Sequence, residues 1–216
     1  RQAARLLCLA RKTVVRKFIF LGIQAQEVLR KSNLLFPPSK TIEFDDMETF
    51  EHTKCKPLSI TLAVEYKARR ILGFEVSQMS VKSTLAQIAL KKYGPRKDLR
   101  FFGRRKLFKS IKPLIHSQAV IKSDQNPHYP KDVMRDFPGA SHEKFKGRKA
   151  CVVGQGELKK IGYDPLFSLN HTCAMFRAHV NRLFRRTWCT TKKSERLSYH
   201  LAIYAVYHNQ SLKKVA

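Results

Sequence analysis

Thr41–Phe50 reads TIEFDDMETF, and the rest of the chain is organised around it. Apolar Ile42 and Phe44 alternate with polar Thr41 and Glu43 at the period of a half-buried strand, which ends on two carboxylates, Asp45 and Asp46. The protein carries 43 Lys+Arg against 16 Asp+Glu, so acids at a strand end need a reason. Such a pair suits a hard divalent cation, which takes oxygen ligands, and equally suits an ordinary polar strand end.

Outward from this strand, the polar connection His52–Pro57 leads to two further expected strands, Ser59–Tyr66 and Arg70–Val76, joined by the basic turn Lys67–Arg69. Ile60, Leu62, Val64 and Tyr66 share one face, which predicts a three-stranded antiparallel meander with Asp45 inside the sheet. Ser83–Lys92 and Gly103–Ile115 read as helices, separated by Gly94-Pro95. Ala119–Ile121 then gives a short buried strand running into Ser123-Asp124, and Gln125–Pro130 cannot continue it. A second apolar strand therefore ends on an aspartate, 79 positions after Asp45.

Lys149–Val153 reads as a fifth strand, and Gly154–Gly156 as a turn, because GQG lacks the further glycines of a dinucleotide fingerprint. A long helix is expected from Pro165, capped by Asp164, to about Arg186. A last one spans Glu195–Asn209, with Leu197, Leu201, Tyr204 and His208 at core spacing.

Upstream, Ala3–Leu7 and a helix starting over Arg11–Phe20 flank a turn at Cys8–Ala10. Two short helices around such a turn, the second basic at Arg11, Lys12, Arg16 and Lys17, have the form of a DNA-binding helix-turn-helix or of a basic hairpin packed on the main domain. Cys8 stands where a turn glycine is usual. Pro37-Pro38 make a natural linker, dividing the chain into a helical segment, 1–36, and a main domain, 37–216. The sequence opens on Arg1 without an initiator Met and runs straight into a helical pattern, so a preceding segment is expected.

With 216 residues, 43% of them hydrophobic, the chain can bury a core. A formal charge of +27 exceeds what solubility requires and calls for a polyanionic partner, nucleic acid before an acidic membrane surface. No stretch approaches the apolar length of a membrane span. Five scattered cysteines argue for a reducing compartment, and His52 with Cys55 and His171 with Cys173 lack the paired spacing of a structural zinc site, so no zinc is expected.

The element order is that of an RNase H-like α/β domain, a mixed sheet flanked by helices. Four segments in order, FDDMETFEHTKCKPLSITLAVE, RRILGF, IKSDQNPHYP and DPLFSLNHTCAMFRAHVNRLFRRTW, resemble the DDE-type transposases of prokaryotic insertion sequences. The resemblance implies DNA end cleavage and strand transfer with two Mg²⁺ ions, Mn²⁺ substituting. It also implies double-stranded DNA as partner, both transposon ends and target, a homo-oligomer on that DNA, and a cytoplasmic, nucleoid-associated location.

By the same resemblance Asp45 and Asp124 match the first two acids of the site, with Asp46 the alternate if the register slips by one. Asn170 falls where the third acid is usual; Asp164 is the alternate there, and an inactive copy is the remaining possibility. Asn offers an amide oxygen but no charge, so it would hold a cation more weakly than a carboxylate. Arg177, two helical turns beyond Asn170, matches a position for a phosphate-contacting cation. Arg182, Arg185 and the stretch Arg104–Lys112 are further candidates for backbone contact, with Arg11, Lys12 and Arg16 serving the upstream helix. A DNA-binding transposase remnant without catalysis, and an RNase H-like nuclease or resolvase, are the competing functions.

Overall fold

The computed structural model describes residues 2–82, 84–146, 163–183 and 191–213. Its elements are α1 (Gln2–Leu6), α2 (Arg11–Leu34), β1 (Ser39–Phe50), β2 (Pro57–Glu65), β3 (Ile71–Gln78), α3 (Leu85–Tyr93), α4 (Arg100–Ile111), β4 (Ile115–Asp124), α5 (Tyr129–Asp136), β5 (Ser141–Phe145), α6 (Phe167–His179) and α7 (Ser194–Lys213).

The strands form one sheet in the order β3-β2-β1-β4-β5. β1, β2 and β3 make the antiparallel meander, while β4 pairs parallel to β1 and β5 parallel to β4. This order and these directions define an RNase H-like α/β domain, the class expected from the sequence.

Helices cover both faces. Ile42 and Phe44 of β1 pack with Leu107, Phe108 and Ile111 of α4 and with Tyr129 and Val133 of α5. On the opposite face Met47, Leu58, Ile60, Leu62 and Val64 meet Leu169 and Phe176 of α6, Leu197, Leu201 and Tyr204 of α7, and Leu29 of α2. Burying each such side chain contributes about 1.5–3 kcal/mol, which is what holds the helices down. β1 is therefore not half-buried: Ile42, Glu43 and Phe44 are all 0% exposed, because α6 lies over the face that alternation assigned to water.

The fifth strand is Ser141–Phe145, and the expected strand at Lys149–Val153 and turn at Gly154–Gly156 lie outside the described residues. SHEKF is a polar edge strand, so it carries no apolar run to reveal it. β4 is ten residues long rather than three, since its first half exposes His116, Ser117 and Gln118 in a row and so carries no apolar pattern. α4 ends at Ile111 and not Ile115, where Pro113 imposes a tighter turn over Lys112–Leu114. α6 stops at His179 instead of Arg186: Val180 is extended, and Val180 and Leu183 both plug the core.

At the amino end Cys8 adopts φ 51, the left-handed conformation that turns usually give to glycine. α2 runs on past Phe20 as one helix of 24 residues. Its buried positions Gly22, Ala25, Leu29 and Asn33 recur at three- and four-residue steps, a stripe that seats on α7 and β3. Gly22 permits the approach: a Cβ there would stand 2.3 Å from the Cβ of Tyr199. Asn33 closes the far end by donating its amide to the carbonyls of Ile71 and Leu72, both at 3.0 Å.

Candidate active site

Successive side chains of a strand point to opposite faces, so Glu43, Asp45 and Met47 share the α6 face while Phe44 and Asp46 share the α4 face. The parallel pairing of β1 with β4 matches Ile42 to Ile121 and Glu43 to Lys122 and goes no further. Two steps on, the same offset sets Asp45, midway along β1, against Asp124 at the carboxyl end of β4, where these two strands part. In open α/β sheets that is where ligand crevices form.

Asp45 Oδ1 accepts a hydrogen bond from Tyr129 Oη at 2.9 Å and one from the Asp46 amide at 2.6 Å. Burial pushes the Asp45 carboxyl up to about 7, and the charge of Asp124 adds to the rise. Asp124 Oδ1 accepts the Asn126 amide at 2.9 Å and opens into a cleft lined by Arg100 and by Gln125–His128. The Tyr129 phenol is held far above its ordinary range, first by burial and then by the charges of Asp46, Asp45 and Asp124. It stays a neutral donor.

Asp46 is occupied elsewhere. It accepts from the Thr61 hydroxyl and from Arg104 Nη1 at 3.3 Å, while Arg104 Nε reaches Asp132 at 2.7 Å. Arg135 closes the network on Asp132 and Asp136. Arg104 is 4% exposed, so it cannot hold a DNA backbone as its place in a basic stretch suggested. The sequence signal is misleading because Gly103 and Arg104 lie on the sheet-facing side of α4, with Leu107 and Phe108.

The two third-position candidates are bonded to each other: Asn170 Nδ2 donates to Asp164 Oδ2 at 2.8 Å, and Asp164 Oδ1 accepts the Leu166 amide at 3.0 Å. Asn170 is exposed in the first turn of α6. Cys173, one turn further, has its thiol pushed up to about 12 by burial, with Asp45 adding to the shift and Arg177 opposing it. Asp45 and Arg177 thus both act on the middle of α6. His171 lies against Arg69 at 3.2 Å.

Glu43 was not singled out from the sequence. Its Oε2 accepts the Leu169 amide of α6 at 2.7 Å, fixing that helix over β1. Its Oε1 has no hydrogen-bond partner among the described residues, and burial raises its carboxyl to about 7, with Asp164 adding. The available signal was a Glu between two core residues of a strand that also carries the acid pair.

Arg11, Lys12 and Arg16 are exposed at the start of α2, and Arg182 is half-buried in the tight turn Asn181–Leu183. Arg185 lies outside the described residues. Among the described residues no group of three or more His, Cys, Asp or Glu gathers to hold a metal ion. Asp45 and Asp124 do supply hard oxygen donors whose mutual repulsion a divalent cation would relieve.

No family model matches the chain, and no curated protein matches it. Among solved structures it is similar to the catalytic domain of Mos1 mariner transposase, at 12% identity and a TM-score of 0.28, over 94% of this chain and 95% of that one. A likeness of this size carries no functional argument, and the fold class rests on strand order and direction. No helix among the described residues is long and apolar enough to cross a membrane.

Proposed function

We propose that the chain is a DDE-type insertion-sequence transposase that cleaves DNA ends and transfers the strand. The observation that carries this reading is the closeness of Asp45, on β1, to Asp124, at the carboxyl end of β4, whose charge raises the Asp45 carboxyl, in an RNase H-like sheet on a chain of net charge +27. Asp45, Asp124 and the Asn170 amide oxygen are the residues that would hold two Mg²⁺ ions, or Mn²⁺ in their place. Bound there, the ions supply activation of water or a 3′-hydroxyl and neutralisation of charge at phosphorus.

The protein's own groups set the stage. Tyr129 orients Asp45 by its hydrogen bond, and Arg104 keeps Asp46 turned to the other face. Glu43 seats α6, and Asp164 takes the amide N–H of Asn170, leaving the amide oxygen as that side chain's remaining acceptor. Arg177, Arg182 and Arg185 serve the phosphate backbone, and Arg11, Lys12 and Arg16 serve it from α2, whose segment 1–36 we assign to DNA contact and 37–216 to catalysis. Such contacts make affinity fall steeply with salt. The same reading makes the protein a homo-oligomer on DNA, acting at the prokaryotic nucleoid.

The neutral amide at Asn170 favours one second reading, a transposase remnant that binds DNA without cutting it. Labelled duplex ends incubated with a supercoiled target and Mg²⁺ separate the possibilities. Joined product supports transposase chemistry, hydrolysis without joining indicates a nuclease, and salt-sensitive binding without either leaves the remnant.

A further inference from the structure

α4 lies flat on the sheet because position 103 is glycine, where a Cβ would come within 1.8 Å of Ser77 Oγ. Gly103, Arg104, Leu107 and Phe108 face inward, so Phe101, Phe102 and Arg105 face out. Phe101 is 42% exposed and Phe102 63%, although each carries enough apolar surface to be worth burying. Their rings meet edge to face with centroids 5.3 Å apart, and the Arg135 guanidinium stands over Phe101 at 4.8 Å. Arg100, the preceding residue, lines the cleft that holds Asp124.

We infer that Phe101 and Phe102, between Arg100 and Arg105, form a stacking platform for unpaired nucleotides of a DNA strand entering the Asp124 cleft. Exposed aromatics interleaved with cations suit single-stranded nucleic acid, since every base has a π-face and the cations meet its phosphates. Arg100 is bonded to Asp98 at 2.6 Å, whereas Arg105 stands exposed beside the rings, a cation that a purely apolar protein contact does not explain. A platform beside a cleavage centre holds frayed end nucleotides out of the duplex. The inference rests on the proposal that this cleft acts on DNA.

The test is fluorescence binding of the full chain to a blunt duplex and to the same duplex with unpaired terminal nucleotides, one of them 2-aminopurine. The wild type is expected to bind the unpaired end more tightly and to change the probe's emission by stacking. Phe102→Ala is expected to weaken binding of the unpaired end alone, by about five- to hundredfold, and Phe102→Trp to restore it. Equal affinity of the wild type for both duplexes, or equal loss on both in Phe102→Ala, overturns the platform while leaving the DNA reading intact. Loss of self-association in Phe102→Ala with DNA binding unchanged makes the pair a protein contact and overturns it too. Binding to neither duplex overturns both readings.

Discussion

Asp45 and Asp124 face each other across the site: the charge of Asp124 raises the Asp45 carboxyl, and the 79 positions between them equal the offset that pairs Ile42 with Ile121 and Glu43 with Lys122. Neither is far from a hydrogen-bond donor, yet burial and proximity set their charges against each other. Without a cation between them this is a stability cost. Asp45→Asn keeps an acceptor for Tyr129 and removes the repulsion, so it is expected to stabilise the metal-free protein by about 1–3 kcal/mol. Chemical denaturation in chelator, with and without added Mg²⁺, checks it; a destabilised variant in chelator would count against the paired-acid account.

Arg104 sits between Asp46 and Asp132 with no access to solvent. Arg104→Ala leaves Asp46 buried without a cation and Asp132 with Arg135 alone, and is expected to cost about 3–5 kcal/mol of folding stability. Arg11→Ala, at an exposed position, is expected to change stability by less than about 0.5 kcal/mol and to reduce DNA affinity and its salt slope. Paired thermal melts and salt titrations of the two variants check the contrast.

Gly22 lets α2 close on Tyr199. Gly22→Leu forces the helices apart and is expected to destabilise by more than about 2 kcal/mol, with hydrogen exchange rising along α2 and α7 before the sheet. Uniform exchange across the whole chain would contradict that seating.

His200 packs on Phe18 with ring centroids 4.3 Å apart, and burial lowers its pKa to about 4, with Arg182 contributing. The folded form binds the proton more weakly than the unfolded one, so its contribution is fully present above the ordinary histidine range near 6.5. It is lost as pH falls from there toward 4. Discounting for partial exposure, the loss is about 1–2 kcal/mol. His200→Gln is expected to flatten the stability profile between these pH values, as denaturant titrations at several pH values would show.

The meander and the acid at the end of β4 were legible because apolar alternation and a strand-end aspartate are local signals, whereas β1 runs on past Asp45 to Phe50 because β2 goes on pairing with it. β5 was not legible, being a polar edge strand, and neither was α5, a short helix starting at Tyr129-Pro130. The burial of Glu43 and Arg104 was illegible for a different reason: it depends on which faces α6 and α4 present, and that is settled by packing between distant segments. The bond between Asn170 and Asp164 was not legible either, since the sequence offers the two only as alternatives for one position.

The central claim is that Asp45 and Asp124 together form a cation-dependent DNA cleavage centre. The direct measurement is the Mg²⁺-dependent cleavage rate of duplex ends by wild type, Asp45→Ala and Asp124→Ala, with DNA affinity recorded alongside. Both variants are expected to lose cleavage to background while binding DNA nearly as well as the wild type. Undiminished cleavage by Asp124→Ala would contradict the account.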